Sequence, residues 1–225
     1  MTTAREDILS TIRRSLGVTG REAPRRGVVE GRLSGHPRGL IPRRGQLDGA
    51  ARAALFKAQA LGALASVTEV ASPAEAPAEI ARYLREANLP ATIRMGEDAR
   101  LAAMPWASTA LDVARGPSQG RDLNGVSHAF AGVAETGTLV LTASPDNPTT
   151  LNFLPDNHIV VIDAKDIARD YESAWDAVRA KFGVGAMPRV VNMVTGPSRS
   201  GDIEQQMQLG AHGPRNLHIV IVGTA

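Results

Sequence analysis

The sequence predicts an α/β fold built on a mostly parallel, Rossmann-like sheet with helices on both faces. Three observations predict it. Between residues 49 and 114 segments of helical period alternate with short apolar strand-like runs, the pattern of βα units feeding a parallel sheet. Later runs such as HIVVID (158–163) and LHIVIV (217–222) are apolar without alternation, as strands covered on both faces are. The chain has 225 residues, 43% of them hydrophobic, enough for a full core. Aromatics are only 4%, so Ala, Val, Leu and Ile must fill it.

The elements follow in order. Residues 3–16 place Ile8, Leu9, Ile12 and Leu16 at helical spacing before Gly17 and predict an amphipathic helix. Residues 18–48 show no period, and Gly, Pro and Arg dominate. They predict an extended linker, so residues 1–48 form an appendage and 49–225 the α/β domain. Within that domain 49–62 reads as a helix, 63–70 as a strand, and 74–88 as a helix with Pro77 in its first turn. Next come a strand over 91–96, a short helix from Asp98 to Met104, and a strand over 111–114. Residues 126–143 predict two strands meeting at Glu135-Thr136-Gly137, and 144–157 an irregular loop rich in Asp, Asn and Pro. Strand 158–163 precedes a helix over 165–182 with Ile167, Tyr171, Trp175 and Val178 on one face. The chain closes with strands at 190–194 and 217–222 around a polar stretch, GPSRSGDIEQQMQLGAHGP (196–214).

Composition narrows the chemistry. There is no cysteine, which excludes disulfides, thiol catalysis and Cys-ligated zinc or iron–sulfur clusters on this chain. The five histidines have no metal-ligand spacing, so no dedicated metal site is expected. No run has the length of a membrane helix and the opening residues are charged, so a soluble cytoplasmic protein is expected. Residues 1–50 carry ten arginines against five carboxylates, within a net formal charge of +2. No aromatics interleave those arginines, and nucleic-acid binding is not expected.

The 196–214 stretch carries the densest candidate chemistry. A strand that ends in a Gly/Ser turn and opens a helix exposes free amides suited to an anion. The expected ligand-binding residues are therefore Gly196, Ser198, Arg199, Ser200, Asp202 and Gly213, with Arg199 offering a planar fork to a carboxylate or phosphate. His212, in the AHGP turn, is a candidate proton carrier. A bland reading, a well-capped helix without a ligand, stands beside it. Glu135 is the other candidate: flanked by apolar strands, its carboxylate suits acid–base or nucleophilic work, with Thr136, Gly137 and Thr138 lining the site. The alternative is a carboxylate that serves only the turn. His128, His158 and His218 fall in or beside strands and read as core or edge residues.

AETGTLVL (134–141), FLPDNHIVVI (153–162), GPSRSGDIE (196–204) and GAHGP (210–214), after an opening REDILSTIRRSLG (5–17), together resemble the LUD-domain family, the LutC/YkgG type of lactate-utilisation proteins. Two departures stand out: Ser200-Gly201 where Thr-Ala is usual, and Asn147-Pro148 where an arginine-containing loop is common. The resemblance implies a fold like the NagB/RpiA/CoA-transferase group. It also implies a part in oxidising L-lactate to pyruvate, with iron–sulfur oxidoreductase subunits as partners. Those partners would hold the clusters, this chain would carry no cofactor, and a small anionic metabolite would be its ligand. Two alternatives remain: a stand-alone CoA-transferase or isomerase-like enzyme using Glu135, and a non-catalytic assembly or regulatory subunit docking through the N-terminal helix.

Overall fold

The computed structural model describes residues 3–203, 206–210 and 212–223, with side chains left aside at 200–203 and 206–209. The chain divides into two compact units, Met1–Leu40 and Ile41–Ala225.

The first unit contains two helices. Helix α1 (Ala4–Leu16) starts at Thr3, whose hydroxyl and Glu6 form a reciprocal capping box, and stops at Gly17 in the left-handed region. Helix α2 (Ala23–Gly35) occupies much of what the sequence predicts as extended linker. Pro24 fits its first turn, and the Glu22 carboxylate accepts from the Thr19 and Gly20 amides, fixing the turn that leads into it. Val28, Val29 and Leu33 share one side, a short stripe hidden in the sequence by the surrounding Gly, Pro and Arg. Ile8, Ile12, Leu16, Val28, Val29 and Leu33 all remain between 49% and 66% exposed.

In the second unit, α3 (Gly49–Gly62) leads to β1 (Ser66–Val70), α4 (Ala76–Glu86), β2 (Thr92–Met95), α5 (Ala99–Ala102) and β3 (Asp112–Arg115). Then come β4 (Asn124–His128), β5 (Ala131–Val133), β6 (Thr138–Thr142), β7 (Asn157–Asp163), β8 (Ile167–Ala168) and α6 (Tyr171–Phe182). The chain finishes with β9 (Val191–Val194), β10 (Arg199–Ile203), β11 (Gln206–Leu209) and β12 (Asn216–Val222).

Six strands form a wholly parallel sheet in the order β1-β12-β7-β4-β2-β3. Alternate residues of its central strands serve two cores. Val160, Ile162, Ile219 and Ile221 meet Phe56 and Ala60 of α3 on one face. Ile159, Val161, Val220 and Val222 meet Ile80 and Leu84 of α4, with Leu101 and Trp106, on the other. Each such side chain stabilises the fold by roughly 1.5–3 kcal/mol on burial, which is why these runs carry no polar alternation.

A second sheet, β8-β5-β6-β9, packs on the α3 side through Leu139, Leu141 and Ile167, and α6 covers its outer face at Val133, Val140 and Ala174. Three expectations change here. Residues 126–143 hold three strands rather than two, because β4 stays in the parallel sheet before β5 and β6 form the hairpin that closes at Glu135-Thr136-Gly137. The helix expected from 165 begins only at Tyr171, since Asp170 caps it by accepting from Ser173 N at 2.8 Å. Ile167 is buried through strand pairing with Gly132, not through a helical face. The helix expected after GPSRSGD is instead a hairpin in which β10 pairs antiparallel with β11. The sequence from Gln206 to Leu209 alternates polar and apolar residues, which is strand period.

Candidate functional site

Glu135 lies in the β5–β6 turn, only 3% exposed. Its Oε1 accepts from Tyr171 N, the first amide of α6, at 3.4 Å. Its Oε2 has no partner among the described residues. Gly45, in the short turn Arg43–Gly45, closes over it: a Cβ there would stand 3.1 Å from the Glu135 Cβ and 2.4 Å from the Arg169 carbonyl oxygen. A carboxylate at a helix start offsets unpaired amides and the helix dipole. The neighbouring hydroxyls form their own group. Thr136 Oγ1 donates to Tyr171 OH at 3.1 Å, and Thr138 Oγ1 lies 2.7 Å from Thr136 Oγ1, 2.9 Å from Tyr171 OH and 2.7 Å from Thr195 Oγ1. Gly137, at φ +67°, lets the turn press against α3, where a Cβ would come within 2.3 Å of Ala60 N.

The GPSR segment and the AHGP turn do come together. Ser198 N donates to Pro214 O at 2.8 Å, Gly210 N to Ser198 O at 2.9 Å, and His212 N to Ser198 Oγ at 3.3 Å. Gly196, Ser198, Arg199, His212 and Gly213 line one cavity of about 280 Å³, floored by His158 and Leu217. This cavity sits at the amino ends of β7 and β12, not beyond the carboxyl ends of the strands, where open α/β sheets place their ligands. The reason is that β9 pairs antiparallel with β6 in the second sheet, so the segment after it runs to the opposite edge of the main one. The strands of that edge are tied by an asparagine ladder: Asn216 Nδ2 donates to Asn157 Oδ1 at 2.7 Å, and Asn157 Nδ2 to Asn124 Oδ1 at 2.9 Å. With β10 in a strand, the expected helix N-terminus is absent from this cavity. Ser200 and Asp202 lie on β10, where only the backbone is described, and Glu204 lies outside the described residues. Glu135 is not among the residues lining this cavity.

A larger site, missed from sequence, occupies the carboxyl ends of the parallel strands. The chain turns outward from β2 to β3 but the other way from β4 to β7, so the sheet has its switch point between β2 and β4, where open α/β folds place ligands. There a cleft of about 1010 Å³ is lined by Arg52, Arg100, Lys165, Arg169 and Lys181, against Asp98, Asp146 and Asp166. Asp98 is buried in its wall, 6% exposed. It accepts from Arg100 N at 2.9 Å, Arg100 Nε at 3.0 Å, Arg100 Nη2 at 2.8 Å and Asn147 Nδ2 at 2.9 Å. Burial opposes its ionisation, but these bonds and the guanidinium charge outweigh that and hold the carboxyl well below the usual range. Arg100 Nη1 also donates to Ala129 O at 3.3 Å, so the guanidinium is fixed across the strand ends.

Around this pair, Lys165 Nζ donates to Asp163 Oδ2 at 3.1 Å, a bond that raises its pKa and keeps it charged. His128, at the end of β4, is pushed down by burial and by the Arg100 charge. Arg169 pairs with Asp48, while Arg52 Nε is buried without a partner among the described residues. The loop bearing Asn147 crosses directly over Gly96, where a Cβ would lie 2.0 Å from the Asp146 carbonyl oxygen. Chemically the arrangement suits an anion: several cationic side chains line one volume, and Arg52 Nε is buried without a partner among the described residues. Among the described residues, no group of three or more His, Asp or Glu is placed to hold a metal ion.

The sequence profile of the LUD domain matches residues 123–222. A lactate utilization protein C from Deinococcus radiodurans is 31% identical over 159 residues, covering 68% of this chain and 71% of that protein. The chain belongs to the LUD-domain family. An uncharacterized protein of Neisseria meningitidis serogroup B is 37% identical over 98 residues, 44% of this chain, and the match spans 41% of the length of that relative. The crystal structure of a DUF162-family protein from Deinococcus radiodurans superposes with a TM-score of 0.58 at 25% identity, over 77% of this chain and 98% of the other. The LUD match runs from β4 to β12 and so takes in the whole amino-edge cavity, together with Lys165, Arg169 and Lys181 of the cleft. Arg52, Asp98 and Arg100 precede it. No helix among the described residues of this LUD protein is long and apolar enough to cross a membrane.

Proposed function

We propose that this LUD protein serves lactate utilisation as an anion-binding component, working with iron–sulfur partner proteins that carry the electrons. The observation that carries the anion-binding part is the convergence of five cationic side chains on the cleft at the sheet's switch point. The name of the Deinococcus relative supports the metabolic context. The absence of cysteine supports a division of labour in which Cys-ligated clusters sit on the partners. The first unit, with its half-exposed apolar helix faces and excess of arginine, supplies a docking element for them. Glu135 serves the fold in this reading: its carboxylate caps α6 beneath Gly45 and lines neither cavity. That geometry favours binding over a CoA-transferase-like mechanism with Glu135 as nucleophile.

The test is calorimetric titration of the isolated protein with lactate, pyruvate and phosphate-bearing metabolites, followed by lactate oxidation with and without iron–sulfur partners. Anion binding that weakens with salt and is lost in the Arg52→Ala, Lys181→Ala double variant is expected. Turnover is expected only with partners. Undiminished binding and turnover in the double variant would overturn the reading.

A further inference from the structure

The cleft at the carboxyl ends has an aromatic wall that anion binding does not use. The chain has only four phenylalanines, and two of them, Phe130 and Phe182, line this cleft. Their ring centroids are 6.1 Å apart and the rings are tilted by 45°. Both side chains are half-buried, and Phe130 is anchored by packing against Ala131 and Ala174. Aromatic faces left at a cleft wall reward a flat ring that stacks on them.

Helix α6 sets the distance between this wall and the cations. Ser173, Ala177 and Lys181, four residues apart, bring one stripe of α6 to the cleft. Eight residues at 1.5 Å each make that stripe about 12 Å long. At one end stand Lys181 and Phe182, with Phe130 against the latter. Arg100 reaches the same end, because its Nη1 donates to Ala129 O, one residue before Phe130. At the other end Arg169 precedes the helix. Arg52 joins it there, since Asp48 pairs with Arg169 and is also lowered by the Arg52 charge. The first amides of α6 are already taken, Tyr171 N by Glu135 and Ser173 N by Asp170. An anion at that end is therefore held by the two guanidinium groups and not by the helix start.

Resting on the anion-binding reading above, we infer that the ligand of this cleft is a nucleoside phosphate, with its base on the Phe130–Phe182 wall and its phosphates at Arg52 and Arg169. The geometry selects the class. A separation of about 12 Å asks for an extended ligand, and neither inorganic phosphate nor a three-carbon acid touches both ends. The phenylalanine rings offer no hydrogen bond, so they favour the flat face of a base over a sugar alone. The five cationic side chains of the lining exceed its three aspartates by two, a surplus that suits a phosphate chain. The volume of about 1010 Å³ lies at the upper end of small-molecule sites, which run from roughly 300 to 1,000 Å³.

The experiment compares ADP, ribose 5-phosphate and inorganic pyrophosphate by calorimetry on the full chain. ADP is expected to bind about tenfold tighter than either of the others, the worth of one stacked base. CDP should bind within a few-fold of ADP, because stacking tolerates any base. Phe182→Leu and Phe130→Leu keep apolar bulk and remove a ring. Each should cut ADP affinity and leave pyrophosphate affinity unchanged, with a circular-dichroism melt showing that the variant is folded. Arg52→Ala should weaken ADP and pyrophosphate alike. Coenzyme A carries the same base and diphosphate on a longer arm. Tighter binding of coenzyme A than of ADP would support the class and identify the nucleotide as the handle of a larger cofactor, whereas weaker binding would support a free nucleotide. Equal affinities for ADP and pyrophosphate, or an ADP preference that survives both phenylalanine variants, would overturn the inference and leave the anion-binding reading standing. No binding of any of these compounds would overturn both.

Discussion

Mild acid should destabilise this protein well before its carboxylates titrate. His158 and His218 are 1% and 2% exposed, and burial lowers them to about 3 and about 4 from 6.5. For His218, Glu79 opposes the shift without cancelling it, while Arg82 adds to it, and its ring stacks on Tyr83 at 3.9 Å. The sign follows from the depressed values. Below about pH 6.5 the unfolded chain binds protons that the native imidazoles refuse, so stability is complete above that pH and falls as pH drops toward the native pKa values. Each histidine contributes a slope of about 1.4 kcal/mol per pH unit, so the pair gives about 2.7 per unit and roughly 5 kcal/mol between about pH 6.5 and 4.5. That is comparable with the whole stability of an ordinary domain. His128, also depressed, steepens the fall. Asp98 acts only below its unfolded value of 3.8, outside the window. Urea unfolding followed by circular dichroism near pH 7, about pH 6 and about pH 5 measures the slope, and His218→Phe should reduce it by about 1.4 kcal/mol per unit. A flat stability over that range would show that these rings are not held neutral by burial.

Three further outcomes are expected. Gly137→Ala should destabilise by roughly 2–5 kcal/mol, combining a left-handed φ with a Cβ driven into the α3 backbone, and a melting curve reads it. Glu135→Ala should cost about 1–2 kcal/mol through loss of the α6 cap while leaving partner-dependent turnover intact; abolished turnover in a folded variant would restore Glu135 as a catalytic group. Asp98→Ala should release Arg100 from its carboxylate and change both the affinity of the cleft for anions and its salt dependence, whereas an unaltered titration would place the anion elsewhere.

What was legible in the sequence was whatever a local pattern encodes. The helix over 49–62 coincides with α3, and the runs at 158–163 and 217–222 fall within β7 and β12, because a strand buried on both faces must be apolar throughout. Each of the three polar segments flanks an expected strand, which suggests that all three converge; GPSR and AHGP do, while Glu135 lines neither cavity. The cleft was not legible. Arg52, Asp98, Arg100, Lys165 and Lys181 come from three helices and two loops, and only the strand order makes them neighbours. One clue was present: Asn147, noted as a departure from the family's usual loop, is the residue that reaches Asp98. The amino-edge placement of 196–214 was hidden for a similar reason. VVNMV reads equally well as a parallel or an antiparallel strand, and its pairing with β6 decides which edge the following loop reaches.

The two cavities lie at opposite ends of one strand. His158 is the second residue of β7, and Lys165 lies two residues past its end. At about 3.3 Å per residue the five strand steps from His158 to Asp163 alone span roughly 16 Å. The amino edge carries its own apolar surface: Phe153, Leu154 and Met193, beside or within the cavity wall, are 42%, 47% and 37% exposed. A ligand in that cavity and an anion in the cleft are too far apart to touch each other, so substitutions at Arg52 and Lys181 are expected to leave the amino-edge cavity unchanged.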